Sequence, residues 1–181
     1  MTSLKFAISF HGPFRVGGGD PIDLYDAPAR RDDPLPQSSL KGLMRAEAHE
    51  RLGIEGSWVN RVFGSQSLPC PWWWSPVRLV GTKFSATTKV RVDDAGRSMR
   101  GFLRFGEQVW ASGATFSIEQ VGPIPAEDLK SHRTILMAAA ASVTSLGESR
   151  LRGSGWVTIR PDDPPGDLAQ QALALRTETP S

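Results

Sequence analysis

Two serines and two basic residues early in the chain are spaced so that they could bind phosphate. Ser38 and Ser39 precede an apolar pattern of helical period, and Lys41 and Arg45 lie four residues apart within it. Hydroxyl groups and backbone N–H groups at the start of a helix bind anions, and cations one turn apart add attraction. These four residues are therefore candidate contacts to a nucleic-acid backbone. The alternative is a capped helix with a basic face in solvent.

A glycine-rich segment near the C-terminus offers a second set of candidate contacts. Arg150, Arg152, Gly153 and Gly155 fall within six residues, directly before a short apolar run. Glycine lets a backbone approach a strand of RNA closely, and arginine binds phosphates or stacks on bases. A tight connection that needs glycine for a positive φ would have the same composition, and both interpretations can hold together.

Basic residues also concentrate in the middle of the chain. The net charge is only +2, so composition alone does not indicate a nucleic-acid-binding protein, but the distribution of charge is uneven. Between residues 83 and 104 only Asp93 and Asp94 oppose six cations, and such a strip could contact phosphate. An exposed charged hairpin is the other interpretation. The six cations are Lys83, Lys89, Arg91, Arg97, Arg100 and Arg104.

The elements that must position these residues follow from hydrophobic periodicity. Alternating residues predict strands, and apolar residues three and four apart predict helices. The order strand, helix, strands, helix, strand predicts an α+β, ferredoxin-like (RRM-like) βαββαβ domain with a β-hairpin insertion and a long loop before the first helix. The predicted elements are a strand at Leu4–Phe10, a helix capped by Ser38 or Ser39 and ending near Gly53, a strand at Trp72–Leu79, hairpin strands within 83–118, a helix from Pro125 to Gly147 and a strand at Trp156–Ile159.

Length and composition exclude several classes of protein. The chain has 181 residues, of which 39% are hydrophobic and 22% charged, as in a globular domain. We expect one domain over residues 1–160 followed by a tail at 161–181, which could be helical or disordered. Cys70 is alone, which excludes a disulfide framework and a cysteine-based zinc site. The sequence has neither a signal-peptide pattern nor an apolar run long enough for a bilayer, so a cytoplasmic protein without a membrane partner is expected.

Three successive tryptophans could be taken for a base-stacking platform. Because side chains alternate along a strand, Trp72 and Trp74 should face one side and Trp73 the other. We therefore expect part of this group to lie in the core. A subunit interface and stacking on RNA are the alternatives for the rest.

Several of these segments resemble motifs of one protein family. Leu35-Pro36-Gln37-Ser38-Ser39-Leu40-Lys41-Gly42 is similar to the "PGSSLKG" element that opens the first helix of RAMP-superfamily CRISPR proteins, with Gln37 in place of the usual glycine. The Arg150–Gly155 segment resembles their "SRGxG" loop, and Val62–Ser65 resembles their "LFG" motif. Asp26–Asp32 resembles "DSPVIRD", and Thr88–Asp93 with Gly101–Phe105 resembles "RVxID…G…LF". The last two motifs are typical of the Cas7-type Csm3 and Cmr4 branch.

The resemblance implies a role in a ribonucleoprotein. Proteins of this type are backbone subunits of type III CRISPR effectors, which take part in antiviral defence. They stack head-to-tail on a guide RNA (crRNA) that pairs with target RNA, beside other effector subunits. By resemblance, Ser38, Ser39, Lys41 and Arg45 would bind guide RNA together with the Arg150–Gly155 loop. The hairpin at about 82–104, with Lys89 and Arg91, would be the thumb, and Met99 and Phe102 would be candidate wedges between guide and target.

The resemblance also raises the question of catalysis. The branch cuts target RNA with a metal ion held by an aspartate in the loop before the first helix, and the matching residue is Asp26. Its carboxylate could bind Mg²⁺ or Mn²⁺ and so make the chain an endoribonuclease. Asp20, Asp23, Asp32 and Asp33 are neighbours in the same loop, and an acidic solvated loop is the other interpretation.

Three alternative functions remain open from sequence. The first is a structural filament subunit without chemistry. The second is a Cas6-like guide-processing nuclease, which would use a histidine such as His11 or His49 as general base; His132 lies at the start of the second helix, and the three histidines have no spacing typical of a metal site. The third is an unrelated ferredoxin-like domain that binds a protein or a small ligand.

Overall fold

The computed structural model describes residues 2–17, 28–92, 94, 96–148 and 153–177, with the backbone alone at 89, 91, 92, 98–102 and 104. Asp26, Arg150 and Arg152 lie outside the described residues. The strands are β1 (Ser3–Phe10), β2 (Trp72–Trp74), β3 (Arg78–Val80), β4 (Lys83–Val92), β5 (Ser98–Trp110), β6 (Gly113–Gln120) and β7 (Val157–Pro161). The helices are α1 (Gln37–Ala46), which continues into a π-helical turn at Glu47–Arg51, α2 (Gly56–Phe63), α3 (Ala126–Ser142) and α4 (Leu168–Ala174).

The main sheet is antiparallel, and its order is compatible with the predicted plan. β1 lies in the centre, between β6 on one side and β7 on the other. β2 and β3 both pair with β6 on its far side, so together they fill one strand position. With β2 and β3 counted as one strand, the order of the βαββαβ strands is 2-3-1-4, which a ferredoxin-like sheet requires.

The hydrophobic core lies between this sheet and the helices. Leu4, Phe6 and Ile8 of β1 are buried while the residues between them are exposed, as a strand with one covered face requires. The rings of Phe6 and Phe116, which are paired across β1 and β6, stack with centroids 4.7 Å apart. α3 covers much of this face, and its residues from Thr134 to Ala140 are buried. The opposite face of the sheet has no helix among the described elements.

Three sequence predictions about the elements need correction. The helix expected to be capped by Ser38 or Ser39 begins at Gln37 and has Pro36 at its N-cap. Proline fits that position because its fixed φ suits the cap and it has no N–H to satisfy. The strand expected over Trp72–Leu79 is two strands, separated by a segment that contains Pro76, which cannot donate to a ladder. The helix expected to reach Gly147 ends at Ser142, and Val143 is extended.

The alternation predicted for the three tryptophans is confirmed. Trp72 and Trp74 are buried and Trp73 is 43% exposed, as alternation requires. β4 and β5 pair over the basic region and form a two-stranded sheet longer than the predicted hairpin.

In the tail, α4 packs on α3, where Thr134 Oγ1 donates to Gln171 Oε1 at 3.1 Å. Within the described part of the chain, no helix is both long and apolar enough to cross a membrane.

The β4–β5 hairpin is attached to the rest of the domain at its base. Phe14 and Val109 exchange two backbone hydrogen bonds of 2.9 and 2.8 Å. The Glu107 carboxylate is buried, pairs with Arg31 and accepts the backbone N–H of Ala29 at 3.3 Å. The Arg31 guanidinium also lies 5.1 Å from the centroid of the Phe84 ring. The base of the hairpin is therefore held by Phe14, which precedes the acidic loop, and by Ala29 and Arg31 within that loop.

Candidate nucleic-acid interface

The start of α1 faces the beginning of the glycine-rich loop across one cleft. A cleft of about 340 Å³ lies between the first turns of α1 and the glycine-rich loop after α3. Ser39 and Gly42 line it from α1, and Gly147 and Glu148 line it from the loop. Its other lining residues are Val16, Gly17, Leu35, Leu40, Leu43, Ala46 and Leu146. The fold thus brings together segments that are about a hundred residues apart in sequence.

The helix side of the cleft is the amino-terminal part of α1. Ser38 and Ser39 lie in the first turn, and the N–H groups of Ser39 and Leu40 both donate to Pro36 O, at 3.0 and 3.2 Å. Neither serine caps the helix through its side chain. Ser38 is exposed and Gly42 opens onto empty space, since a Cβ built on Gly42 meets nothing within 4 Å. A ligand in the cleft would therefore contact the first helical turn and a bare stretch of helix backbone.

The loop side of the cleft is fastened to the segment that follows β1. Gly155 donates its N–H to Pro13 O and accepts the N–H of Leu146, both at 2.9 Å. Glu148 N donates to Arg15 O at 2.7 Å, and the side chains of these two residues form an ion pair. The described part of the loop is thus a fixed wall of the cleft. Arg150 and Arg152 lie between Glu148 and Gly153, outside the described residues.

Two glycines of the loop are required by sterics. Gly155 has a φ of +75°, and a Cβ there would overlap the carbonyl oxygen of Leu146. Gly147 has a φ of +80°, and a Cβ there would overlap the carbonyl of Arg15. Gly153 also has a positive φ, of +81°, but a Cβ would meet nothing within 4 Å. The positive φ of the tight-connection interpretation is thus present at both Gly153 and Gly155, and Gly153 is in addition exposed and open to a ligand.

The two predicted cations of α1 are engaged by other parts of the protein. The Lys41 Nζ lies 5.0 Å from the centroid of the Trp74 ring, a cation–π contact. The Arg45 guanidinium donates to Gly64 O and, at 2.8 Å, to Asn60 Oδ1, so it ties α1 to the end of α2. Neither residue is among those that line the cleft. α2 is not predicted from the sequence, and neither are the contacts of Arg45 with Asn60 and Gly64 at its end.

The remaining predicted contacts lie on the hairpin and in the acidic loop. Lys89 and Arg91 lie on β4, where the backbone of Lys89 pairs with Arg104, but their side chains are outside the described part. Asp26 lies outside it as well. No group of three or more His, Cys, Asp or Glu side chains among the described residues could hold a metal ion.

None of the histidines lies at the described part of the cleft. His11 Nε2 is 2.8 Å from Thr158 Oγ1, and His49 Nδ1 is 3.4 Å from Ile54 O. His132 is buried beneath β2, where its Nδ1 accepts the Trp72 indole N–H at 3.1 Å. Burial lowers the pKa of His132 to about 4, against the opposing influence of Asp128, which pairs with Arg61 at 2.7 Å. His132 is therefore neutral at pH 7 and belongs to the packing of the core.

Comparison with known proteins identifies the fold. No family model matches the sequence, and no curated protein does. Among solved structures, a chain of the type III-B Cmr-beta complex bound to cognate target RNA superposes with a TM-score of 0.71 at 13% identity, over 89% of this chain and 97% of that one. A chain of the same kind of complex in its apo state gives a TM-score of 0.66 at 12% identity, over 92% and 98%. The protein thus has the fold of these two chains of type III-B Cmr-beta complexes.

Proposed function

We propose that this chain binds guide RNA as a backbone subunit of a type III-like CRISPR effector, and that the strand runs through the cleft between α1 and the glycine-rich loop. The observation that carries the proposal is that Ser39 of α1 lines the same cleft as Gly147 and Glu148, which begin the loop that continues to the predicted Arg150–Gly155 segment. The fold, shared with chains of a Cmr-beta complex, is consistent with it. The proposal would make guide RNA, target RNA, copies of this chain and other effector subunits its partners.

The chemistry of the cleft suits a ligand of variable sequence. The first turn of a helix presents backbone N–H groups to an anion, and Ser38, Ser39 and Gly153 add small polar or bare surfaces beside it. Contacts of this kind fix phosphates and sugars but read no bases. A guide must be held whatever its sequence, because base pairing with the target supplies specificity. Arg150 and Arg152 in the loop, and Lys89 and Arg91 on the hairpin, would add cations along the strand.

Assembly along the guide would be head-to-tail. A heterologous contact between copies repeats without closing, so that the RNA sets the length of the filament. The β4–β5 hairpin would serve as the thumb that reaches the neighbouring copy and the paired strands.

The cleft is tested by placing a charge in it. Gly42→Glu puts a carboxylate at an exposed, uncrowded position of α1, and repulsion at about 5 Å from a phosphate should weaken guide binding about tenfold. Gly166→Glu is the matched control, since Gly166 is equally open and lies outside the cleft. Fluorescence anisotropy with a labelled guide RNA measures both. Equal affinities for the wild type and Gly42→Glu would contradict the proposal.

Cleavage is tested separately at Asp26. We propose that its carboxylate helps to hold Mg²⁺ or Mn²⁺ for cutting paired target RNA. In the assembled complex, Asp26→Ala should abolish cleavage at regular intervals while guide and target remain bound, and Asp163→Ala in the tail should change neither. Unchanged cleavage by Asp26→Ala would rule out this role. No cleavage by the wild type with either metal would favour a structural filament subunit.

A further inference from the structure

The face of the main sheet opposite the helices carries its own pattern of side chains. Strand register places Arg78, Thr115, Ala7 and Arg160 in one row across β3, β6, β1 and β7. With strands about 4.8 Å apart, the two arginines lie about 14 Å apart at opposite edges of the sheet. The side chains of Thr115 and Ala7 between them are small, so this row is a flat strip of surface with an arginine at each end. It lies in a shallow depression of about 820 Å³.

The cations of this face are available to a ligand. Lys5, Arg78 and Arg160 are exposed, and none of them forms an ion pair with any residue that the structure describes. Two carboxylates share the depression. Glu119 accepts a hydrogen bond of 3.1 Å from Ser117 Oγ, and Asp162 lies at the β7 edge. The three cations outnumber the two acids, and the row from Arg78 to Arg160 contains no acid.

One large aromatic side chain stands on the same face. Trp73 pairs with Glu119 on β6, four residues along that strand from Thr115, and its side chain is 43% exposed. That separation along a strand is about 14 Å. Small polar side chains line the depression near it, at Ser75, Thr115 and Ser117, and Phe6, Pro76 and Phe116 add apolar surface. Cations on the same face as an exposed indole match a phosphate backbone with unstacked bases.

We infer that this open sheet face, defined by Lys5, Trp73, Arg78 and Arg160, is a second binding surface for single-stranded RNA. Arginines at both edges bind phosphates, and Trp73 stacks on a base. The surface lies on the opposite side of the sheet from the cleft, so it does not depend on the guide occupying that cleft. It would hold a strand other than the guide.

The test removes the two edge charges from the full-length chain. Binding of a short fluorescein-labelled oligouridine is followed by anisotropy over a range of salt concentrations. Arg78→Ala/Arg160→Ala should weaken binding tenfold or more, and the slope of log K against log salt should become shallower by about 1.4, since each lost contact to a single strand removes about 0.7. Lys130→Ala/Arg133→Ala removes the same charge from exposed positions of α3 and should change affinity less than twofold.

A second measurement tests whether the indole ring of Trp73 stacks on a base. Trp73→Ala should weaken oligouridine binding about fivefold or more, whereas Trp73→Phe keeps an aromatic ring and should retain most of the affinity. A 4-thiouridine oligonucleotide should cross-link to the peptide that contains Trp73. The inference is overturned if the arginine variant binds no more weakly than its α3 control. It is also overturned if the variant changes only the self-association of the protein, which would make the face a protein interface.

The two RNA proposals fail in different ways. Gly42→Glu acts on the cleft and leaves the open face intact, whereas Arg78→Ala/Arg160→Ala does the reverse. Loss of guide binding in Gly42→Glu with oligouridine binding unchanged in the arginine variant supports the cleft alone. The opposite pattern supports the open face alone.

Discussion

The two sides of the main sheet offer a ligand different chemistry. On the helix side, the cleft is built from a helix start, bare glycine backbone and apolar side chains, and the nearby Lys41 and Arg45 are already engaged by Trp74, Gly64 and Asn60. On the open side, the cations make no ion pair with described residues. The described cleft can therefore bind a ligand by shape and backbone contact, whereas the open face can bind a ligand by charge. Binding at the open face should depend more steeply on salt.

The largest expected effect is on the wall of the cleft. Gly155→Ala forces a side chain into a left-handed conformation and against the Leu146 carbonyl, so we expect a loss of about 2–5 kcal/mol in the free energy of unfolding. Gly153→Ala has the same conformational cost without the overlap and should lose about 1–2 kcal/mol. Urea unfolding measures both. Equal losses would show that the close approach at Gly155 does not constrain the loop.

The next effect distinguishes a structural role of Arg45, in which it joins α1 to the end of α2, from a role in binding phosphate. Arg45→Ala removes the hydrogen bonds to Gly64 O and Asn60 Oδ1, and it should lower the free energy of unfolding by about 1–3 kcal/mol. If those bonds are its main role, the salt dependence of guide binding stays that of the wild type. A slope that becomes shallower by about 0.7 would instead indicate a phosphate contact, as the sequence predicts. Arg133→Ala, at an exposed position of α3, is the control for removal of a charge.

A further effect is a pH dependence that neither proposed RNA surface should share. The pKa of His132 is lowered to about 4 in the folded protein, below its ordinary value of about 6.5. The neutral ring therefore stabilises the fold fully above pH 6.5, and this contribution is lost as the pH falls towards 4. The slope is at most about 1.4 kcal/mol per pH unit for one proton. Unfolding curves of His132→Gln should lack this component, and those of His11→Gln should keep it.

The sequence predicts the framework of the fold better than the fine positions of its parts. Alternation in β1 and in Trp72-Trp73-Trp74 identifies the buried face correctly, because burial on one side imposes a period of two. The start of α1 was misplaced because serine is a common N-cap, whereas here Pro36 holds that position. α2 was missed because its eight residues are too few to show a clear helical period.

The candidate binding sites could likewise be predicted only in part from the sequence. Patterns in sequence located both segments that form the cleft, because helix starts and glycine-rich loops are local features. They could not show that Arg45 is engaged, since its partners lie 15 and 19 residues away on a helix that the sequence did not reveal. The open face was also missed. Arg78 and Arg160 lie at the two ends of one row only because four strands pair in a particular register. Strand register depends on the whole sheet.

The attachment of the glycine-rich loop to the segment after β1 has a consequence for synthesis of the protein. Gly155 bonds to Pro13, and the central strand β1 has β6 and β7 as its only partners among the described strands. Both come late in translation, so the first strand leaves the ribosome long before anything can pair with it. The open face, which includes Arg160, cannot be complete on a nascent chain until β7 has emerged. Because its contacts join distant parts of the chain, the domain should also fold slowly for its size.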